Sequence, residues 1–244
     1  MERLQPLGNG VRIYVSDMHR FGTDALLLAD FAAPKRSDIA CDLGTGCGII
    51  PMLWCRFDAP EKITAIDIQP EAVELVRRSV ELNGLEERVR PLVADLRESM
   101  PQENCRFSLV TMNPPYKTVE GGLQSPDDPR RIARHEVTCT VYDAADAASR
   151  LLKNGGRFCV CHRPERLGDL FDAMRKSGVE PKRLRLVCQR LGGQPSLVLV
   201  EGKKGARAGL VIDPIFYIQD EKGNDSEQMA QVYKEYRQAK ERDK

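Results

Sequence analysis

Short apolar runs and capped helical segments alternate along most of the 244-residue chain, and few folds accept that order. A β-branched run lies at 11–15, and Thr23 and Asp24 then open a helix whose apolar face, Ala25 to Ala32, stops before Pro34. Strand signals recur at 39–43, 63–68, 89–94, 107–112, 157–161, 184–188 and 197–201, with helical segments at 49–57, 70–83, 141–152 and 167–177. Pro70 at a first helical position and Gly84 just past the last punctuate the helix at 70–83, and Gly155-Gly156 is expected to stop the helix at 141–152. Strands separated by helices run mostly parallel, with both faces of the sheet covered. Too few residues separate 188 from 197 for a helix, so those two strands are expected to pair antiparallel. The pattern predicts an α/β fold: a doubly wound, mostly parallel seven-stranded sheet with an antiparallel C-terminal strand pair. Residues 37–204 are expected to form the main domain, with a strand-and-helix extension at 1–36 and a charged extension at 205–244.

Chemistry concentrates where strands end. Asp42-Leu43-Gly44-Thr45-Gly46-Cys47-Gly48 joins a strand to a helix, and Gly44 and Gly46 let backbone approach a ligand closely. The third glycine of a dinucleotide fingerprint is missing, since position 49 is Ile. An acid two residues before the first glycine repels a pyrophosphate and suits a ligand with an ammonium end. Asp67 ends the next strand, where an acid can accept both hydroxyls of a ribose, and Asp95 follows the third in the same manner. Taken singly, each acid reads equally well as a helix or turn cap. Taken together, they converge on the carboxyl edge, where open α/β sheets bind ligands. Asn113-Pro114-Pro115-Tyr116 follows the strand 107–112. Its prolines leave rigid carbonyl acceptors beside an amide oxygen, which suits a planar amine with two protons to donate, and Tyr116 could stack on an attached ring.

Composition narrows the partners. Lys and Arg total 37 against 36 Asp and Glu, so nucleic acid would have to be met by local patches: Arg130, Arg131 and Arg134; Lys182, Arg183 and Arg185; or Lys203, Lys204 and Arg207. No stretch approaches the ~20 apolar residues of a membrane span, and the N-terminus lacks a signal-peptide core, so a cytoplasmic protein without membrane contact is expected. The eight cysteines include no CxxC pair. Cys159, Cys161 and His162 read as alternating positions of a core strand rather than metal ligands, and no metal is expected. Residues 117–138 carry little periodicity, as a functional loop or lid would. From Gln219 onward the chain is densely charged; Met229, Val232, Tyr233 and Tyr236 stand at helical spacing, read as a surface helix with a solvated face.

These motifs make the chain resemble the class I S-adenosylmethionine-dependent methyltransferases that modify exocyclic planar amines, which have a Rossmann-like fold. Asp42 to Gly48 matches their cofactor loop, Asp67 the ribose acid, Asp95 the acid near the adenine, and Asn113 to Tyr116 the catalytic motif. Phe21 to Ala29 and Ile132 to Glu136 are similar to the valine-tRNA adenine-N6 methyltransferase family, a likeness that runs from about residue 5 to 202. The resemblance implies S-adenosylmethionine as cofactor, held by Asp24, Asp42, Gly44, Gly46, Asp67, Ile68, Asp95 and Asn113. It implies catalysis by Asn113, Pro114, Pro115 and Tyr116, and substrate contacts from Tyr116, Arg131 and Arg134. The segment around Asp24 would fold over the cofactor's amino-acid end, and His135 is not required as a base. The implied partner is RNA, with adenine N6 in tRNA as acceptor; a protein glutamine N5 or an rRNA guanine N2 are the alternative acceptors. From other classes, a non-catalytic cofactor-binding module is disfavoured by the intact tetrapeptide, and a dinucleotide oxidoreductase by Ile49.

Overall fold

A computed structural model describes residues 1–57, 59–114 and 139–233. Strands β1 (Glu2–Gly8) and β2 (Val11–Ser16) form an antiparallel hairpin. Helix α1 (Thr23–Ala32) leads to β3 (Ile39–Leu43), α2 (Ile49–Trp54), β4 (Lys62–Asp67), α3 (Pro70–Asn83), β5 (Val89–Val93) and β6 (Phe107–Met112). After the next described helix, α4 (Val141–Leu151), come β7 (Leu152–His162), α5 (Leu167–Lys176), β8 (Val179–Cys188), β9 (Pro195–Lys204), and two-residue strands β10 (Val211–Ile212) and β11 (Phe216–Tyr217).

The expected seven strands lie in the order β8-β9-β7-β6-β3-β4-β5. Pairing is parallel from β7 to β5, and β9 is antiparallel to both β7 and β8. Among the described residues the sheet reaches nine strands, because β10 and β11 each add in parallel to β8. One face packs against α1, α2, α3 and the hairpin, the other against α4 and α5. Leu7, Ile13 and Val15 carry the hairpin into the core, and Tyr14 N donates to Ser79 Oγ of α3 at 3.0 Å.

Two local readings differ from the structure. Helix α4 ends at Leu151, and Gly155-Gly156 lies inside β7. A Cβ on Gly156 would stand 2.9 Å from Leu152 Cδ2 and 3.1 Å from Phe107 O, so this glycine permits close strand packing at a register shift in the β6–β7 pair. The second difference is the charged segment. Residues 227–233 are helical, and Met229 is fully buried in the α1–α2 core, with Val232 and Tyr233 packed against it. The face read as solvated is a packing face; Tyr236 lies outside the described residues.

Candidate active site

Parallel register brings the carboxyl ends of β3, β4 and β6 level: Leu43 lies beside Ile66 on one side and Met112 on the other. The side chain of Asp42 is 2 % exposed and receives two hydroxyls, from Thr45 Oγ1 and Thr111 Oγ1, each at 2.7 Å. Burial pushes its carboxyl up to about 7; the two hydroxyls oppose the shift and the nearby Asp67 charge adds to it. The glycine loop is then pinned to β4. Thr45 N donates to Ile66 O at 2.9 Å, and Gly46 N donates to Asp67 Oδ2 at 2.8 Å. Asp67 Oδ1 accepts from Gln69 N at 3.0 Å, so the acid is oriented through both oxygens, and each keeps a further lone pair for a ligand.

Two cavities meet at this loop. A cleft of about 390 Å³ is lined by Gly44, Gly46, Asp67, Ile68, Asp95, Asn113 and Pro114, with Ala94, Leu96 and Met112 as apolar wall. A smaller one, about 140 Å³, is lined by Arg20, Phe21, Gly22, Ala25, Asp42, Thr45 and Cys47. Gly44, Gly46 and Asn113 border both. Gly46 has φ +55°, and a Cβ there would meet no atom within 4 Å, so any side chain would project into the space the cavities share.

Asp95 lies at the far wall in a fork with Arg97, whose Nε stands 3.0 Å from both carboxylate oxygens. That hydrogen-bonded guanidinium holds the Asp95 carboxyl below its usual range. Asn113, one residue beyond β6, accepts at Oδ1 from Cys161 Sγ at 3.0 Å. Asp24 is half-buried in the first turn of α1 and lines neither cavity, although Phe21, Gly22 and Ala25 around it do. Pro115, Tyr116, Arg131, Arg134 and His135 lie outside the described residues. Thr111 and Arg97 join the site without being noted in the sequence, Thr45 and Phe21 stand there only as parts of longer motifs, and Cys161 reads there as a core-strand residue. Thr45 sits inside the D-x-G-T-G loop and was within reach of a motif reading; Thr111 looks like any β-branched strand residue.

Two of the basic patches have structural duties. Arg183 Nη2 donates to Phe31 O at 2.7 Å and pairs with Glu201 at 3.0 Å, its guanidinium 4.0 Å above the Phe31 ring. Arg185 pairs with Asp213 at 2.9 Å. Lys182 donates to Arg207 O at 3.1 Å, and Lys204 to Ser149 O and Leu152 O at 2.7 and 2.9 Å. Among exposed arginines, Arg97 borders the larger cleft and Arg20 the smaller cavity, while Arg163 and Arg190 follow the carboxyl ends of β7 and β8. Among the described residues no group of His, Cys, Asp and Glu could hold a metal ion.

Comparison with known proteins gives the same class as the site. Residues 31–136 match the model of the TRM5/TYW2 methyltransferase domain. Aligned over 75% of the chain, the sequence is 29% identical to the tRNA1(Val) (adenine(37)-N6)-methyltransferase of Parabacteroides distasonis, 76% of which is covered. Among solved structures, a protein of Agrobacterium tumefaciens described as a predicted O-methyltransferase superposes with a TM-score of 0.69 and 25% identity, covering 86% of this chain and 95% of that one. The tRNA m1G37 methyltransferase of M. jannaschii shares the fold alone, at a TM-score of 0.59 and 19% identity, over 84% of this chain and 57% of that one. The protein is a methyltransferase of the Rossmann-like, S-adenosylmethionine-dependent class. Within that class, the tRNA adenine-N6 enzymes are among its curated relatives.

Proposed function

We propose that this enzyme methylates N6 of an adenine in tRNA. The observation that carries the reading is the position of Asn113, which follows β6 directly and borders both cavities, between the Asp67 wall and the Asp42 loop. The residues suit S-adenosylmethionine: the chemistry it supplies is an electrophilic methyl group on a sulfonium. Asp67 keeps lone pairs for ribose hydroxyls, Ile68 offers an apolar face to the adenine, and Asp95 with its neighbouring amides lies on the adenine side. Asp42 and the Gly44–Gly46 turn favour the ammonium-bearing end, and the segment around Asp24 closes over it through Phe21 and Gly22. In this reading residues 37–204 carry the reaction, 1–36 complete the smaller cavity, and the extension from 205 braces β8.

An exocyclic amine on an aromatic ring is a poor nucleophile because its lone pair is delocalised. Two acceptors, Asn113 Oδ1 and the Pro114 carbonyl, favour a pyramidal nitrogen aimed at the methyl group; positioning then does most of the catalytic work, with Tyr116 stacking on the base. Arg131 and Arg134 of the first basic patch, and Arg20, Arg163 and Arg190 at the carboxyl edge, would meet phosphates flanking an extruded base. Among the described residues no helix is long and apolar enough to cross a membrane; an enzyme acting on tRNA would work in the cytoplasm.

The test is methyl transfer from labelled S-adenosylmethionine to unmodified valine tRNA carrying adenine 37, followed by nucleoside mass spectrometry. N6-methyladenosine is the expected product, and a transcript with guanine at that position should accept no label. Transfer to a protein glutamine or to rRNA, with none to any tRNA, would overturn the reading.

A further inference from the structure

Asn113 needs a neighbour that decides which way its amide faces. The oxygen and nitrogen of an amide are nearly isosteric, so orientation is set by the groups around them. The parallel register of β6 and β7 pairs Met112 with Val160, so one residue further on Asn113 comes level with Cys161. The Cys161 thiol is fully buried, on the strand face it shares with Cys159, and stands 3.0 Å from Asn113 Oδ1. Cys159 has a different partner, Glu201 Oε2 at 3.7 Å, so the two cysteines of this strand do different things.

We propose that Cys161 is a positioning residue for methyl transfer: its S–H donates to Asn113 Oδ1 and fixes the amide with its oxygen at the site. The thiol engages Oδ1 from the β7 side, 3.0 Å away. A valine would fill nearly the same volume but set methyl groups against the oxygen, removing this donor to Oδ1. A serine would keep a donor. The inference rests on the reading of Asn113 as the amine-binding group.

Packing and positioning roles make opposite demands on substitutions at 161, which gives the test. If the thiol only fills the core, Cys161→Val should be tolerated better than Cys161→Ser, which buries a hydroxyl among apolar neighbours. If it orients Asn113, the loss of one hydrogen bond predicts that Cys161→Val lowers kcat by ~3- to 10-fold with KM for S-adenosylmethionine unchanged, while Cys161→Ser stays within ~2-fold of the parent enzyme. Valine matching the parent in kcat, or exceeding serine, would overturn the proposal. Crystal structures of the parent and of Cys161→Val supply a readout that needs no acceptor. One Asn113 rotamer in the parent and several in the variant supports the positioning role; the same single rotamer in both overturns it. Full activity of Asn113→Ala would remove the reading on which the inference rests, and the positioning role with it. If no tRNA accepts a methyl group, the proposed function fails by itself and the rotamer comparison still decides for Cys161.

Discussion

Burial holds the Asp42 carboxyl near neutrality, and the free enzyme's stability should report it. An acid with a raised pKa binds its proton more tightly in the folded chain than in the unfolded one. Its contribution is therefore complete below about pH 4 and is lost as pH rises through about 7. Asp42→Asn keeps the shape of the neutral acid and does not titrate. The stability of the parent relative to this variant should fall between about pH 4 and 7, at no more than ~1.4 kcal/mol per pH unit, in thermal or urea unfolding without cofactor. A difference that is flat across this window would mean that the carboxylate is already formed at low pH. Asp67 poses a question of affinity instead. Removing a charged acceptor costs ~1.5–3 kcal/mol, so Asp67→Ala should weaken S-adenosylhomocysteine binding by ~10- to 100-fold in calorimetry, and equal affinities would remove the ribose role. The acids at 42, 67 and 95 were legible because a strand end fixes where its next side chain goes. Thr111 and Cys161 were not: both sit within strands of apolar and β-branched residues, and only the register between strands shows what they touch.

Among elements, α1 shows what two arginines of the basic patch on β8 hold together. Its last turn contains no basic residue, and it ends at Ala33 in the left-handed region, leaving carbonyls without helical partners. Arg157 Nη1 reaches Ala32 O at 3.0 Å, and Arg183 Nη2 reaches Phe31 O, from 125 and 152 residues away in sequence. Arg183 and Arg185 are two apart on one strand, so they share a face, and that face meets the end of α1. Local spacing shows the shared face but not its partner, whereas the alternating helices and strands could be read because each depends on its own few residues. Glu201 balances the arrangement, pairing with Arg157 at 3.1 Å and Arg183 at 3.0 Å. Glu201→Gln would leave two partly buried guanidinium groups short of a counter-charge. Since all three side chains retain some solvent contact, a loss of ~1–3 kcal/mol is expected rather than the full cost of a buried pair. Urea unfolding checks this, and an unchanged midpoint would show that the network is worth no more than an ordinary surface pair.

At the scale of the whole molecule, the segment after β9 closes the fold at the β8 edge. Strands β10 and β11 pair with β8, and Asp213 between them ties down Arg183 and Arg185. Phe216 and Met229 then enter the same core as α1, α2 and Val187. Ser226 starts the following helical turn, accepting from Met229 N at 3.0 Å while its hydroxyl donates to Tyr217 O. The density of charge in this segment had argued for a solvated helix, because charge is visible along the chain while a single deeply buried methionine is a weak signal. The two pictures predict different costs for one substitution. A solvated face would make Met229→Ala nearly neutral, within ~0.5 kcal/mol. A fully buried methionine replaced by alanine loses its transfer energy and leaves a cavity, so ~2–5 kcal/mol is expected, a large share of the 5–15 kcal/mol that holds a typical domain together. Ending the chain at Gly205 removes Met229, Phe216 and Asp213 together, and should lower the unfolding temperature further than Met229→Ala does. Thermal unfolding of the two variants beside the full chain settles the order: a truncated protein as stable as the parent would show that the segment rests on the fold without supporting it.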